Sequence, residues 1–317
     1  MSMTGWLILL LTLVIGPVLV SYVVEALRPK PTVPAKLLWG PDIPIEYVDV
    51  NGIKLRYVTV GKGTPLVLLH TLRTQLDIFQ KVIPELSKYF KVYAFDYPGH
   101  GWSDIANEKL KPEVFYEATS GFLDELDISG AIVAGISIGG TIPLVLAARH
   151  NPKIKKIISI NPYDYAKGLG IKRSSIVACL IFSLAGIPVI GETVMRMRNR
   201  LVEMKIFEGG VHNTDQFPSA FITELYTAGC RPGHYRSFLS LIRNASLWDE
   251  ARTEYKDINI PVLLIYGEDD WSNTKEREEN RLAIPGVKYE IVKNAGHFLS
   301  LDAPDELIRL ILEFASP

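Results

Sequence analysis

The stretch AIVAGISIGG, residues 131–140, decides how the chain is organised. It opens with small and apolar residues typical of a buried strand and leads into an apolar segment, 141–150, that predicts a helix. A serine that turns sharply between a strand and a helix needs small residues two positions before and after it, because the two backbones approach closely there. The pattern predicts that Ser137 is a nucleophile, and that the N–H of Ile138 at the helix start binds an oxyanion. A glycine-rich turn with an incidental serine is the alternative, which the rest of the chain has to decide.

Composition narrows the class of protein. The chain has 317 residues, of which 48% are hydrophobic, so it can form one large domain or two small ones. Its 34 Lys and Arg residues nearly balance 35 Asp and Glu residues, and no strong field favours nucleic acid. Two cysteines exclude a disulfide framework, and the histidines lack the spacing of a helix-borne zinc pair, so no metal is expected.

The N-terminal segment Trp6–Val24 carries no charge and is long enough, at about 1.5 Å per residue, to cross a hydrocarbon core of about 30 Å. It predicts an uncleaved membrane anchor over residues 1–28. A cleaved signal peptide is the alternative, but it would have a basic start and a small-residue cleavage site. The basic residues Arg28, Lys30 and Lys36 come next, so the positive-inside rule predicts a single-pass protein with a cytoplasmic domain. The proline-rich segment 29–43 is predicted to be a linker.

Strands and helices then alternate. Asn51-Gly52 between the alternating segments 45–50 and 53–58 predicts a hairpin. Continuous apolar runs predict buried strands, and helical patterns fall between them; the strands are 65–70, 91–95 and 154–160, and the helices are 75–88 and 112–127. This alternation predicts an α/β fold with a doubly wound, mostly parallel sheet.

The alternation stops at Asn161-Pro162 and resumes with a buried strand at 260–266. A strand at 287–292 and an amphipathic helix at 303–315 complete the pattern. The sheet domain is therefore predicted in two parts, 44–162 and 257–317, around a helical insertion at 163–256. Within this insertion the apolar stretch Ser174–Ile190 predicts a helix, with a second membrane span as the alternative that Gly186 and Pro188 disfavour.

Three side chains follow predicted strands in an order that suits acyl chemistry: Ser137, Asp270 and His297. The carboxyl ends of parallel strands share one edge of a sheet, so these side chains are expected to meet. Imidazole can take the proton of a serine hydroxyl and return it, while a carboxylate orients the imidazole. Glu268 and Asp269 are alternative acids, and Asp270 and His297 each also suit a capping role.

From about Ile45 onward the chain resembles the α/β-hydrolase fold family. Five motifs carry this resemblance: LLHT (68–71), DYPGHGWSD (96–104), GISIGG (135–140), YGEDD (266–270) and NAGHF (294–298). The resemblance implies that Asp270 is the acid and that the second oxyanion N–H belongs to Leu72, with Thr71 as the adjacent candidate. It also implies that residues 163–256 form a cap over the site. The family usually has His-Gly where this chain has His70-Thr71.

The resemblance and the three side chains together predict a membrane-anchored serine hydrolase without a cofactor. Its expected substrate is a small acyl compound, a carboxylic ester or another acyl bond, apolar or lipid-like. Members of the family with an aspartate nucleophile act on epoxides or haloalkanes, and Ser137 argues against those reactions. Two alternatives remain: a carbon–carbon bond hydrolase with the same triad, and a weakly catalytic ligand receptor on the same scaffold. The oligomeric state is left open.

Overall fold

Eight strands form one sheet in a computed structural model of the chain, which describes residues 2–105 and 109–316. Across the sheet they run in the order β1-β2-β4-β3-β5-β6-β7-β8. Their bounds are β1 (Glu46–Val50), β2 (Ile53–Val60), β3 (Pro65–Leu69), β4 (Lys91–Phe95), β5 (Ala131–Ile136), β6 (Ile154–Ile160), β7 (Val262–Gly267) and β8 (Lys288–Val292). β2 pairs antiparallel with β1 and β4, and every other pairing is parallel. The mostly parallel α/β sheet is confirmed.

Along the chain the helices alternate with the strands, and several of them lie between β6 and β7. Their bounds are α1 (Met3–Ala26), α2 (Ile83–Leu86), α3 (Pro112–Glu125), α4 (Ile138–Ala148), α5 (Ile176–Ala185), α6 (Ile190–Arg196), α7 (Arg200–Glu208), α8 (Ser219–Gly229), α9 (His234–Arg243), α10 (Thr274–Ala283), α11 (Leu299–Asp302) and α12 (Pro304–Ala315). In the described part of the chain, residues between β6 and β7 form helices and turns but no strand. The domain boundaries drawn from the sequence stay predictions.

The core of the sheet explains why its strands read as unbroken apolar runs. β5 is buried along its whole length, and so are the last four residues of β3, because helices cover both faces. Fully burying a leucine, isoleucine or valine side chain contributes about 1.5–3 kcal/mol, so a strand such as β5 has no position for a polar residue. The result is a rigid central strand that ends directly at Ser137.

Two predicted helices are broken in the structure. The helix expected over 75–88 is a 3₁₀ turn at Leu76–Phe79 followed by α2, where Pro84 lies in the first turn and lacks a backbone N–H. The apolar stretch Ser174–Ile190 is split into α5 and the start of α6, with Gly186 and Pro188 between them. The alternative of a second membrane span at this stretch is not supported.

The N-terminal segment forms α1, and its last turns are fastened to the helical insertion. Glu25 pairs with Arg198 at 2.7 Å, and the guanidinium of Arg28 donates to the backbone oxygen of Arg196 at 2.7 Å. Arg28 is therefore buried rather than free at a membrane surface. In the ranges that the structure describes, no helix has the length and hydropathy of a membrane span, and the predicted anchor over 1–28 is not supported. The cytoplasmic location stays a prediction.

Candidate active site

Ser137 lies on a sharp turn between β5 and α4. Its backbone has φ 63° and ψ −122°, a conformation that costs a non-glycine residue on the order of 1–3 kcal/mol. The flanking glycines permit the turn: a Cβ on Gly135 would lie 2.0 Å from the oxygen of Gly139, and one on Gly139 would lie 2.1 Å from the oxygen of Leu69. The close backbone approach inferred from the sequence is therefore present, and it places the Ser137 side chain at the carboxyl end of β5.

Asp270 and His297 meet beside this turn. Oδ1 of Asp270 lies 2.5 Å from Nδ1 of His297, and both side chains are fully buried. The second oxygen of Asp270 accepts hydrogen bonds from the N–H and the hydroxyl of Ser272. Burial alone would raise the pKa of Asp270, but the electrostatic attraction of the His297 ring and the hydrogen bonds from His297 and Ser272 outweigh it and lower that pKa below its usual value. Asp270 is thus held as a carboxylate against the imidazole.

The two rival acids are engaged elsewhere. Asp269 accepts from Nδ1 of His212 at 2.6 Å, and its side chain is half exposed. Glu268 accepts from the backbone N–H of Asn294 at 3.3 Å. Of the three adjacent acidic residues, Asp270 is the one whose carboxylate contacts His297.

The protonation of His297 follows from this contact. The carboxylate of Asp270 can only accept, so in the neutral tautomer of His297 the proton is on Nδ1 and the lone pair is on Nε2. Nε2 is buried and has no hydrogen-bond partner among the described residues, Ser137 included. The structure therefore brings the acid and the histidine together but does not join the histidine to the serine by a hydrogen bond. Catalytic hydrogen bonds of this kind often tighten only when substrate is bound.

Two residues that the sequence analysis did not single out hold the histidine loop. The amide of Asn161, directly after β6, donates to the backbone oxygen of His297 at 2.9 Å and accepts from the N–H of Gly267 at 2.9 Å. The indole of Trp271 stacks on the imidazole of His297, with ring centroids 3.8 Å apart and 15° between the planes. Its Nε1 donates to the oxygen of Gly209 at 2.8 Å. Asn161 could have been found from the sequence, because it is a polar residue directly after a predicted strand. No sequence pattern indicates that Trp271 stacks on His297.

The predicted oxyanion loop is held by His70. The N–H of Tyr97 donates to its Nε2 at 3.1 Å, so Nδ1 carries the proton and donates to the oxygen of Thr71 at 2.8 Å. Burial, with the nearby His100, lowers the pKa of His70 well below its usual value and keeps the ring neutral. The left-handed backbone conformation falls on Arg73 (φ 64°), while Thr71 is not among the positive-φ residues. Threonine therefore fits where the family usually has glycine.

A buried ionic cluster supports the same loop from below. Arg56 pairs with Asp96 at 2.9 Å and with Asp77 at 2.5 Å. Asp96 also accepts from the backbone N–H groups of Leu76 and Trp102 at 2.8 Å each. Burial, only partly offset by the guanidinium, raises the pKa of Asp96 to about 6. These contacts tie the loop after β3 to the loop after β4, which fixes the path of the oxyanion candidates.

A cavity of about 270 Å³ opens beside Ser137. Thr71 and Leu72 border it on the sheet side, and Trp271 borders it next to the histidine. The rest of its wall is mainly apolar and comes from the helical insertion, including Ile181, Phe182, Val194, Met195, Ile206 and Phe207. The backbone N–H of Ile138, at the first helical position of α4, has no partner within an α-helix and is free to donate by geometry. The arrangement offers a nucleophile, an oriented base and an apolar chamber.

The charges in the cavity wall are paired. Arg73 forms an ion pair with Glu203 at 3.0 Å, and Arg198 forms one with Glu25 at 2.7 Å. Because each cation faces a carboxylate, the wall carries no unbalanced charge from these residues. A chamber of this kind suits a neutral, largely apolar compound rather than a polyanion.

Comparisons with known proteins agree with this description. The family described as the alpha/beta hydrolase fold matches residues 64–177, which include Ser137. Epoxide hydrolase 3 of Xenopus tropicalis is 25% identical over 93% of this chain and 88% of its own length. Carboxylesterase YbfK of Bacillus subtilis is 24% identical over 87% of this chain and 89% of its own length. The crystal structure of Cfl2 from Burkholderia cenocepacia superposes with a TM-score of 0.77 at 19% identity, over 90% of this chain and 99% of that one.

The chain therefore has the α/β-hydrolase fold. Within that fold it is a hydrolase, and both relatives described above are named as hydrolytic enzymes. The two relatives are named for different bonds, one for epoxides and the other for carboxylic esters.

Proposed function

We propose that the chain is a serine hydrolase of carboxylic esters with an apolar acyl group, acting through Ser137, His297 and Asp270. The observation that carries this proposal is the buried Asp270–His297 pair beside a strained serine at the mouth of an apolar cavity. The similarity to a carboxylesterase supports ester hydrolysis. A serine at position 137, where epoxide- and haloalkane-cleaving members of the family use an aspartate, weighs against those reactions.

The hydrogen bond between Asp270 and His297 supports the following mechanism. Nε2 of His297 takes the Ser137 proton as the hydroxyl oxygen attacks the acyl carbon, and Asp270 stabilises the imidazolium that forms. The N–H groups of Ile138 and Leu72 bind the carbonyl oxygen as it becomes an oxyanion. His297 then protonates the leaving alcohol, and water, activated by the same imidazole, releases the acid from the acyl-serine. The acyl chain occupies the cavity during both steps.

Labelling with a fluorophosphonate, followed by peptide mapping, tests the proposal directly. The probe should attach to Ser137, and a rapid burst of alcohol should precede steady turnover of an activated ester. Turnover of a diketone with no acyl-serine would favour the carbon–carbon hydrolase. Ligand binding with neither labelling nor turnover would favour the receptor.

The length of the acyl chain is expected to control kcat/KM. Each methylene buried in the cavity contributes about 0.8 kcal/mol, so kcat/KM should rise by up to about fourfold per methylene until the cavity is full. The measurement is a series of p-nitrophenyl esters from acetyl to dodecanoyl. Ile181→Trp, which fills the cavity wall, should shift the optimum to shorter chains.

Leu180→Trp is the matched control for that series. Leu180 precedes Ile181 on α5 but is 58% exposed and lies outside the cavity wall, so its replacement should leave the optimum unchanged. A series that is flat or peaks at acetate would reject the apolar substrate and leave an unspecified acyl hydrolase.

Trp271 is expected to affect kcat through His297. A stacked indole fixes the plane of the imidazole, and an aromatic face stabilises a nearby cation by about 0.5–2 kcal/mol. Trp271→Leu should therefore lower kcat by about tenfold, whereas Trp271→Phe, which keeps a stacking ring, should recover most of the loss. Phe207→Leu, another cavity aromatic, should change KM more than kcat. If Trp271→Leu keeps the kcat of the wild type, the stacking of Trp271 on His297 does not contribute to catalysis.

A further inference from the structure

Exposed apolar side chains are concentrated in two segments. Of the large apolar residues that lie exposed in the described part of the chain, nine fall in 3–27, nine in 176–201 and five elsewhere. The most exposed include Trp6, Leu19 and Ile176, the last at 81%. Soluble proteins rarely leave so much apolar surface together unless something covers it. We call the outer surface of these two segments the apolar platform.

The two segments adjoin, so the platform is one surface. Nε of Arg196 donates to the hydroxyl of Ser21 at 3.0 Å, and its guanidinium lies 3.9 Å from the ring centroid of Tyr22. The ring of Tyr235 lies 5.8 Å from Arg196 and 5.7 Å from Arg236 on α9, so Arg236 stands at the edge of the same surface. α1 is therefore fixed on the helical insertion beside α6.

Charge separates the platform from its rim. Residues 1–24 and 174–191 contain no Asp, Glu, Lys or Arg. Cations follow: Lys30 comes after α1, and Arg200 and Arg236 have no carboxylate partner in the ion pairs of the described residues. An apolar face with aromatic side chains and a basic rim is the pattern of a surface that lies in the interface of an anionic membrane.

The helices that form the platform also form part of the cavity wall. On α5, Ile181 and Phe182 line the cavity, while Leu180 and Leu184 face outward. On the next helix, Met195 is buried and lines the cavity, and Ile190 is exposed. One helical layer therefore separates the substrate chamber from whatever covers the platform.

We infer that the apolar platform docks onto the surface of a lipid bilayer that contains anionic lipids, and that apolar substrate reaches the cavity from that bilayer. The second part rests on the proposed function; the first does not. A two-fold pair of chains would be the other way to cover the platform, but it would bring the unpaired cations of the two rims together. Anionic headgroups neutralise those cations. The platform lies along the membrane rather than through it.

Vesicle flotation with the full chain tests docking. Wild-type protein should float with vesicles of phosphatidylcholine containing about a third phosphatidylglycerol, and less with phosphatidylcholine alone. The double variant Ile176→Ser/Leu180→Ser removes two outward side chains that do not line the cavity, so its partitioning should fall at least about tenfold while its kcat on a water-soluble ester is unchanged. Leu282→Ser/Ile291→Ser, which alters two exposed residues on α10 and β8, is the matched control and should float like wild type.

The double variant Arg200→Gln/Arg236→Gln separates the electrostatic contribution to docking from the apolar one. It should weaken flotation with anionic vesicles but not with phosphatidylcholine alone. Docking is overturned if wild type does not float, or if the α5 double variant floats as well as wild type. It is also overturned if the chain is a dimer without lipid and the double variant makes it a monomer, because a second copy then covers the platform. If the wild type does not turn over esters, the proposed function is refuted, but the flotation result still tests docking.

Discussion

Ser137→Ala is expected to abolish fluorophosphonate labelling and to lower kcat on a p-nitrophenyl ester by on the order of 10⁴–10⁶. The methyl group of alanine cannot attack the acyl carbon, and the strained turn after β5 has no second hydroxyl or thiol at position 137 or its immediate neighbours. The remaining turnover would come from the oxyanion N–H groups and the cavity, which hold the ester without a covalent step. Binding of a short-chain ester should change little, since the cavity wall is untouched.

The control for this prediction is Ser87→Ala. The hydroxyl of Ser87 bonds to the oxygen of Pro84 at an exposed helix end, so labelling and kcat should match those of wild type. Thermal unfolding of both variants should occur near the wild-type temperature. If Ser137→Ala still labels and turns over, another residue is the nucleophile and the proposed mechanism is wrong.

Asp270→Asn is expected to lower kcat by about 10⁴. An asparagine amide would turn its NH₂ group toward Nδ1 of His297, so the imidazole proton would move to Nε2 and the base would lose its lone pair. KM should change much less than kcat, because the side chain of Asp270 is buried away from the cavity wall.

Asp269→Asn is the matched control one residue earlier. It weakens only the contact with His212, whose side chain is 43% exposed, and should lower kcat by less than about threefold. Steady-state kinetics on one ester, with unfolding temperatures measured in parallel, compare the two. A larger loss in Asp269→Asn than in Asp270→Asn would move the acid by one residue and contradict the hydrogen-bond pattern.

Local rules were sufficient where a few neighbouring residues decide the structure. Asn51-Gly52 predicts the hairpin because a primed turn needs residues that accept positive φ, and both residues have it. The apolar runs predict β3, β4 and β6 to within a residue, since a strand covered on both faces admits little else. The sharp turn at Ser137 is predicted by Gly135 and Gly139, which lie two residues before and after it.

The rest depends on contacts between distant parts of the chain. The Trp271 stack and the Asn161 bridge exist only because three loops converge at one sheet edge. The stretch Ser174–Ile190 has one composition throughout, yet one face of α5 is buried and the other exposed, which its residues alone do not reveal. The predicted anchor is not supported, and the sequence alone could not reveal that Arg28 is bound by backbone oxygens about 170 residues later in the chain.

The side chain of Asn161, at the end of β6, bonds to Gly267 and His297, which are synthesised only after the helical insertion. The site is therefore assembled from an early and a late part of the chain. Ser137, the proposed nucleophile, belongs to a part of the sheet that is synthesised before the helical insertion, while Asp270 and His297 are synthesised after it. β7 pairs with β6 although the insertion separates the two strands along the chain. Long-range pairings of this kind form slowly. A ribosome-bound chain that has folded only its first strands thus displays the serine without its base. The proposed esterase activity can therefore appear only after the C-terminal strands have joined the sheet.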